Sequence, residues 1–329
     1  MKLIFKGMLI LNLISAGFSN LHRINKFNNL DYYETGLSYL NNNSNHLGIV
    51  ILAGGEGSRL GIKGSKGLFE LNGKVVFEYL LEKIKVLKDS SSAKISLLIM
   101  TSNTVESDTR GFFNRKDLSK YCDYFDIFLQ GHSTALNLDG EEFVSEKGNK
   151  KIAPNGNGDF FNKVKTSSLY EKIDHFLVIP VDNIFVELFD PVFYGCAIKE
   201  NYDIFNKGIE VDKAEKVGCF KFDGNKVTVT EYIDHNEDNY IGNICFHLFT
   251  KDAVELLSEA QLDTHSATKT YVEDDITYTI VKKEKFIFDN FNLVNKSGVM
   301  VVDREEEFHP LKSQDDVEKI LLLINQKIN

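Results

Sequence analysis

The chain has little of what marks the specialised classes of protein. Its four cysteines, Cys122, Cys196, Cys219 and Cys245, lie far apart. None forms a C-x-x-C pair or stands beside a histidine at zinc-ligand spacing, which excludes a disulfide framework and a structural zinc site. No apolar run beyond the N-terminus approaches the ~20 residues that a membrane-spanning helix needs. Clusters of Lys and Arg interleaved with aromatics are absent, and 48 acidic residues against 38 basic ones leave a net charge of −10, so nucleic acid is not an expected partner. The eight histidines are dispersed without H-E-x-x-H or related spacing, and none is assigned a catalytic or zinc-binding role. Internal repeats are absent as well. What remains is a globular chain of 329 residues, 43% of them hydrophobic, expected in the reducing cytoplasm and able to bury one large core or two smaller ones.

The start complicates that compartment. Lys2 and Lys6 precede the apolar run Met8–Ile14 and the small residues Ser15–Ala16–Gly17, the order of a short secretory signal. Asn12 interrupts the run, and the alternative is an N-terminal helix packed on the body.

From Leu47 the pattern becomes βα-like. Gly48–Ala53 predicts a buried strand, a glycine-rich loop follows, and Val75–Leu87 carries helical periodicity. Ile95–Met100 predicts the next strand, then come a helix ending near Phe113, a strand around Phe125–Leu129, a loop at Ala153–Asp159, a helix from Phe160 and a buried strand at His175–Val181. This alternation predicts an α/β fold with a doubly wound, mostly parallel Rossmann-like sheet, whose ligands bind beyond the C-terminal ends of the strands. From Val217 short strands around a turn at Asp223–Gly224–Asn225 predict an antiparallel section added to that sheet. The expected organisation is a helical segment over 1–46, one main domain over 47–313 and a terminal helix over 314–329, with Val317, Ile320, Leu321 and Ile324 on its docking face. The patch Asn41–Asn45 reads as a solvated loop ahead of the first core strand.

Between the first core strand and its helix lies Leu52–Ala53–Gly54–Gly55–Glu56–Gly57–Ser58–Arg59–Leu60–Gly61, closing on Ser65–Lys66–Gly67. Glycines there let the backbone approach phosphates, and Arg59 and Lys66 supply positive charge where a triphosphate needs it. The loop lacks G-x-G-x-x-G and is therefore not a dinucleotide fingerprint; Lys66 is followed by Gly67, so it is not a Walker A loop either. Asp182, at the end of an apolar strand, is either a helix cap or a hard-cation ligand at the sheet's binding edge, and its placement favours the cation.

This loop resembles the L-x-G-G-x-G-T-R-L-G…P-K-G signature of the eukaryotic-type UDP-sugar pyrophosphorylase family, and downstream residues point to its UDP-N-acetylglucosamine branch. The likeness continues in family order through Ile99–Ser102, Gln130–Gly131, Ala153–Gly158, Val181–Asn183, Glu231–Tyr232, Gly242–Ile244, Lys285–Asp289 and Phe308–Lys312. All four prolines, Pro154, Pro180, Pro191 and Pro310, fall within matching stretches. Ser58 replaces the usual Thr, and Ser65 replaces the usual Pro, which is expected to loosen the turn before Lys66. Asp159 stands where a second Gly is usual and resembles the His–Gly–Asp of the glucose-type enzymes. Against the family, the N-terminal region is expected to be abbreviated and the C-terminal domain missing.

The resemblance implies a nucleotidyltransferase that joins UTP to N-acetylglucosamine 1-phosphate with release of pyrophosphate. The metal would be Mg2+ or Mn2+ held by Asp182, with Asn183 supporting its orientation. Arg59 and Lys66 would neutralise the β- and γ-phosphates, and Lys312 would bridge toward the sugar phosphate; without the resemblance, Lys312 reads as a surface lysine. Ala53, Gly54, Gly55, Gln130 and Gly156 would hold the nucleotide, Gln130 reading the uracil edge with its donor and acceptor. Asn157, Gly218, Glu231, Asn243, Phe286 and Phe288 would border the sugar, with simple core packing the alternative for the two phenylalanines. A monomer acting on small molecules, with neither membrane nor nucleic acid as partner, is the expected assembly. A UDP-glucose or broad-specificity enzyme, and a non-catalytic nucleotide-sugar-binding protein, remain the alternatives.

Overall fold

Three apolar runs form the centre of a mixed sheet, and burial on both faces explains why they read as continuous rather than alternating. The computed structural model describes residues 20–22, 29–212, 217–230, 240–261 and 263–328; both readings of residues 1–19 lie outside them. In chain order the strands are β1 (Leu21–His22), β2 (His46–Leu52), β3 (Glu70–Leu71), β4 (Lys74–Val75), β5 (Lys94–Thr101), β6 (Tyr124–Leu129), β7 (His132–Thr134), β8 (Ile152–Pro154) and β9 (His175–Pro180). They continue with β10 (Ile204–Val211), β11 (Cys219–Asp223), β12 (Lys226–Thr230), β13 (Tyr240–Thr250), β14 (His265–Glu273), β15 (Ile276–Glu284) and β16 (Ser297–Val301). The helices are α1 (Leu30–Leu40), α2 (Val76–Asp89), α3 (Glu106–Phe113), α4 (Phe160–Lys163), α5 (Pro191–Lys199), α6 (Lys251–Glu259), α7 (Arg304–Glu307) and α8 (Val317–Ile328).

The main sheet runs in the order β1-β16-β10-β13-β9-β2-β5-β6. The β2–β5, β5–β6 and β2–β9 pairs are parallel, and β13 enters antiparallel between β9 and β10. The β11–β12 hairpin, turning at Gly224, joins β13 as the expected antiparallel addition. Along β2, Leu47, Ile49 and Ile51 enter one core and Val50 the other; along β9, Leu177 and Ile179 face the first core and Phe176 and Val178 the second. Helices α1, α2, α3, α5 and α8 cover the first face, α4 and α6 the second. In α8, Ile320 and Ile324 are buried and Val317 and Leu321 pack beside them.

Two expectations need refining. The stretch read as a loop from Ala153 begins inside β8, which pairs with β7, and the helix from Phe160 lasts only four residues before a 3-10 turn at Val164–Thr166. The Thr166 hydroxyl donates to Lys163 O at 2.7 Å, drawing the chain into that tighter turn.

Helices α1 and α5 cross at bare backbone. A Cβ on Gly36 would lie 1.7 Å from Pro191 O, and one on Gly195 would lie 1.7 Å from Tyr32 O. Neither obstacle is a side chain that can swing aside, so the helices must separate. Gly195→Ala is expected to lower unfolding stability by about 1–3 kcal/mol, as overpacking does in a close-packed core. Equilibrium denaturation checks this; an unchanged midpoint would refute the close contact.

Candidate active site

Strand order reverses between β2 and β9: the chain leaves β2 toward β5 and β6 on one side and returns through β9 on the other. In open α/β sheets such a reversal opens a crevice beyond the carboxyl ends of the two strands. The glycine-rich loop follows β2, and Asp182 lies two residues past the last residue of β9, so both reach the crevice.

Ala53 is fully buried at the root of the loop, its N–H donating to Met100 O at 2.8 Å. The loop is pinched closed by a bridge between Glu56 and Ser65, by Gly57 N–H to Gly64 O at 2.9 Å and by Lys66 N–H to Gly55 O at 3.2 Å. That closure returns Lys66 beside Gly55. Ser65 holds φ −66°, the value a proline would impose, so the turn before Lys66 keeps its shape without the ring.

The Lys66 Nζ lies 3.1 Å from Asp182 Oδ2. The pair spans 116 positions in sequence and joins the ends of neighbouring strands. Asp182 is further held through its carbonyl, which accepts from Leu311 N–H at 2.7 Å. Asn183 does not touch the Asp182 carboxylate. Fully buried, it donates to Glu307 O at 2.7 Å and accepts from His309 N–H at 3.3 Å, tying the loop after β9 to the segment that leads into Lys312. The Lys312 side chain is exposed and lies outside the lining of the cleft, while its N–H donates to Asp316 Oδ2 at 2.8 Å.

The crevice opens into a cleft of about 870 Å³ that Gly54, Gly55, Arg59, Lys66, Gln130, Gly156, Asn157, Asp182 and Phe286 all border. Gln130 is 8% exposed and packs its amide on the Gly54 backbone, where a Cβ would come within 2.7 Å of Nε2. Gly156 holds φ +92° with Lys285 O 2.5 Å from where a Cβ would stand, so no other residue fits. Asn157 Oδ1 accepts from Ile287 N–H at 3.0 Å, and this brings Phe286 to the cleft. Phe288 stacks behind Phe286 at 5.2 Å and packs on the second core, outside the lining of the cleft.

The remaining sugar-site expectations are not brought to the cleft among the described residues. Asn243 N–H donates to Gly218 O at 2.7 Å, and Asn243 Oδ1 accepts from Cys245 N–H; the two residues bind each other, and Cys245 reaches the cleft instead. Glu231 lies outside the described residues. Asp159 borders a neighbouring pocket of about 500 Å³, where Asn155 donates to it at 3.1 Å and Lys285 Nζ lies 3.5 Å away.

Sequence reasoning missed a whole wall. The hairpin β14–β15 carries Lys269, Tyr271, Lys282 and Glu284 to the cleft, with Lys151 beside them. Burial, reinforced by the nearby Asp182 charge, pushes the Cys245 thiol up to about 12, so it stays protonated and is no nucleophile. Among the described residues no three of His, Cys, Asp and Glu converge; Glu56, Asp182 and Glu284 border the cleft, and Asp182 is the carboxylate beside Lys66 at the crevice. One carboxylate is a poor cage but a sufficient anchor for magnesium, which takes one or two carboxylates and completes its shell with phosphate oxygens and water. Among the described residues no helix is long and apolar enough to cross a membrane.

A glycine-rich loop with two cations beside it and a carboxylate at the switch point of a doubly wound sheet fit a nucleotidyltransferase of the α/β class. The comparisons with known proteins narrow the class. The chain belongs to the family described as UTP–glucose-1-phosphate uridylyltransferase, whose pattern matches residues 19–328. It is 36% identical over 284 residues to an Encephalitozoon cuniculi protein named "Probable UDP-N-acetylglucosamine pyrophosphorylase", covering 82% of each chain. It is 30% identical over 325 residues to the UDP-N-acetylglucosamine pyrophosphorylase of Saccharomyces cerevisiae, covering 86% of this chain and 67% of that one. The fold matches the crystal structure of the Trypanosoma brucei uridine diphosphate N-acetylglucosamine pyrophosphorylase with a TM-score of 0.72 at 24% identity, over 89% of this chain and 68% of the other.

Proposed function

We propose that the chain transfers the uridylyl group of UTP to N-acetylglucosamine 1-phosphate, forming UDP-N-acetylglucosamine and pyrophosphate. The observation that carries this reading is the meeting of Lys66, Asp182 and the glycine-rich loop at one end of a cleft whose other residues include Gln130, Asn157 and Phe286. An oxygen of the sugar 1-phosphate forms a bond to the α-phosphorus of UTP. The bond from that phosphorus to the bridging oxygen of the β-phosphate breaks, and pyrophosphate leaves with the electron pair. The attacking oxygen is already anionic at neutral pH, so no general base is needed, and catalysis reduces to holding two anions together in line. Arg59 and Lys66 neutralise the departing phosphates, while Gln130 pairs with the uracil edge. Magnesium or manganese, held by Asp182 and phosphate oxygens, would screen the triphosphate charge when bound. Four free cysteines support a reducing, cytoplasmic setting.

The sugar follows from the relatives and from the cleft. Phe286 offers apolar cover for an acetyl methyl and Asn157 lies beside it, whereas Asp159, the residue that resembles the glucose-type enzymes, is turned into the adjoining pocket. Polar groups arranged around a 2-acetamido substituent are left unpaired by glucose 1-phosphate, at about 1–3 kcal/mol for each stranded group. N-acetylglucosamine 1-phosphate is therefore expected to exceed glucose 1-phosphate by ~10-fold or more in kcat/KM with UTP as co-substrate. Pyrophosphate release measured on both sugars tests this, and equal values would overturn the assignment.

A further inference from the structure

The hairpin β14–β15 has no assigned part in the reaction, yet it closes one side of the cleft. It is not a loose flap. Ile280 is 1% exposed against Ala135 and Phe143, and Leu136 and Val281 exchange two backbone hydrogen bonds of 2.8 Å. In the antiparallel register Lys269 faces Ile280 and Ala267 faces Lys282, and directly opposed residues share a face, so Lys269, Tyr271 and Lys282 project on one side. Lys151 lies above the Tyr271 ring at 4.7 Å and adds a third cation.

The charges on this wall are unlike those around it. Lys147 is paired with Asp274 and Lys150 with Glu142, both on the outer surface of the same region. Among the described residues no carboxylate lies within ion-pair distance of Lys151, Lys269 or Lys282. Three cations without carboxylate partners among the described residues border the cleft that Arg59 also borders, in a chain of net charge −10. Glu284, at the end of the hairpin nearest Gly156, is the one acid on that wall. Uncompensated cations gathered in a cleft focus positive potential and raise the local concentration of anions.

We propose that the β14–β15 hairpin is a second polyphosphate-binding wall, on which Lys269 and Lys282, backed by Lys151, engage the β- and γ-phosphate oxygens in addition to Arg59. It rests on the reading of this cleft as a nucleoside triphosphate site. Arg59 and Lys66 then share the polyphosphate with the hairpin lysines, which keep the leaving pyrophosphate neutralised.

The test uses inorganic tripolyphosphate with magnesium, titrated calorimetrically into the full chain. Lys269→Ala combined with Lys282→Ala is expected to weaken binding tenfold or more and to lower kcat/KM for UTP in parallel. Lys94→Ala with Lys120→Ala removes the same charge from the opposite end of the sheet and is expected to leave both within twofold. The hairpin's contribution should shrink at ~0.5 M salt, as partly exposed charges are screened there. Wild-type binding that the hairpin pair leaves unchanged overturns the proposal, as does an equal loss in the control pair or no binding by wild type. Should binding depend on the hairpin while no sugar phosphate yields pyrophosphate, the hairpin site stands and the transferase reading falls.

Discussion

Asp182→Ala will yield a folded protein whose turnover is lower by ~10³-fold, the upper range for losing one preorganised charge at a reacting centre. The fold should survive because the side chain is 24% exposed at the cleft and its removal strands only the Lys66 ammonium, which water can then reach. Asp182→Asn separates two roles. An amide can still accept from Lys66, but it is a far weaker ligand for a hard cation, so its turnover should fall nearly as far. Removal of divalent metal from wild type should reproduce the loss, and added magnesium should restore it. Steady-state rates of pyrophosphate release decide the matter: near-normal turnover in Asp182→Ala removes this carboxylate from the mechanism.

Lys207→Met is expected to cost about 3–5 kcal/mol of unfolding stability, the range for breaking a buried ion pair by removing one partner. The side chain is fully buried on β10. Its Nζ lies 2.9 Å from Asp190 Oδ2 and 2.7 Å from Glu307 Oε2, and it donates to Glu187 O at 3.0 Å. Phe246 covers it, with the ring centre 4.7 Å away. Methionine fills the space but leaves two carboxylates in the core without this cation. Chemical denaturation measures the deficit, and a value below ~1 kcal/mol would show that the cluster is not energetically coupled. Because Glu307 and Asn183 are bonded, the same variant should also loosen the segment that runs to Lys312.

The central strands were legible because doubly covered strands must be apolar on both faces, and β2, β5 and β9 are. The hairpin β14–β15 was not, for the opposite reason. Its residues are mostly half-exposed or exposed, and although burial alternates along β14, polar residues stand on both faces, threonine on one and lysine and glutamate among the aromatics of the other, so hydrophobicity does not mark the period of two. Its turn hides as well: Asp274 and Asp275 take φ of +46° and +66°, a geometry usually announced by Asn-Gly or Asp-Gly. The same division holds in the site. Arg59 and Lys66 were found in the glycine-rich loop and Asp182 at the end of an apolar run, but the 3.1 Å contact of Lys66 with Asp182 exists only because β2 and β9 are neighbours, which spacing along the chain does not encode. Gly218 and Asn243 came from resemblance alone, and their mutual backbone bond shows how a recurring sequence block can serve strand pairing as well as ligand contact.

The edge strand β1 pairs in parallel with β16, Leu21 opposite Val299. During synthesis that pair must wait for almost the whole chain to leave the ribosome. Until then β10 lacks the partner that β16 supplies, and its open side presents unsatisfied backbone groups to any other nascent chain. Closing this edge is thus a long-range step that can begin only after translation has nearly ended, and the wait for it is an interval open to aggregation.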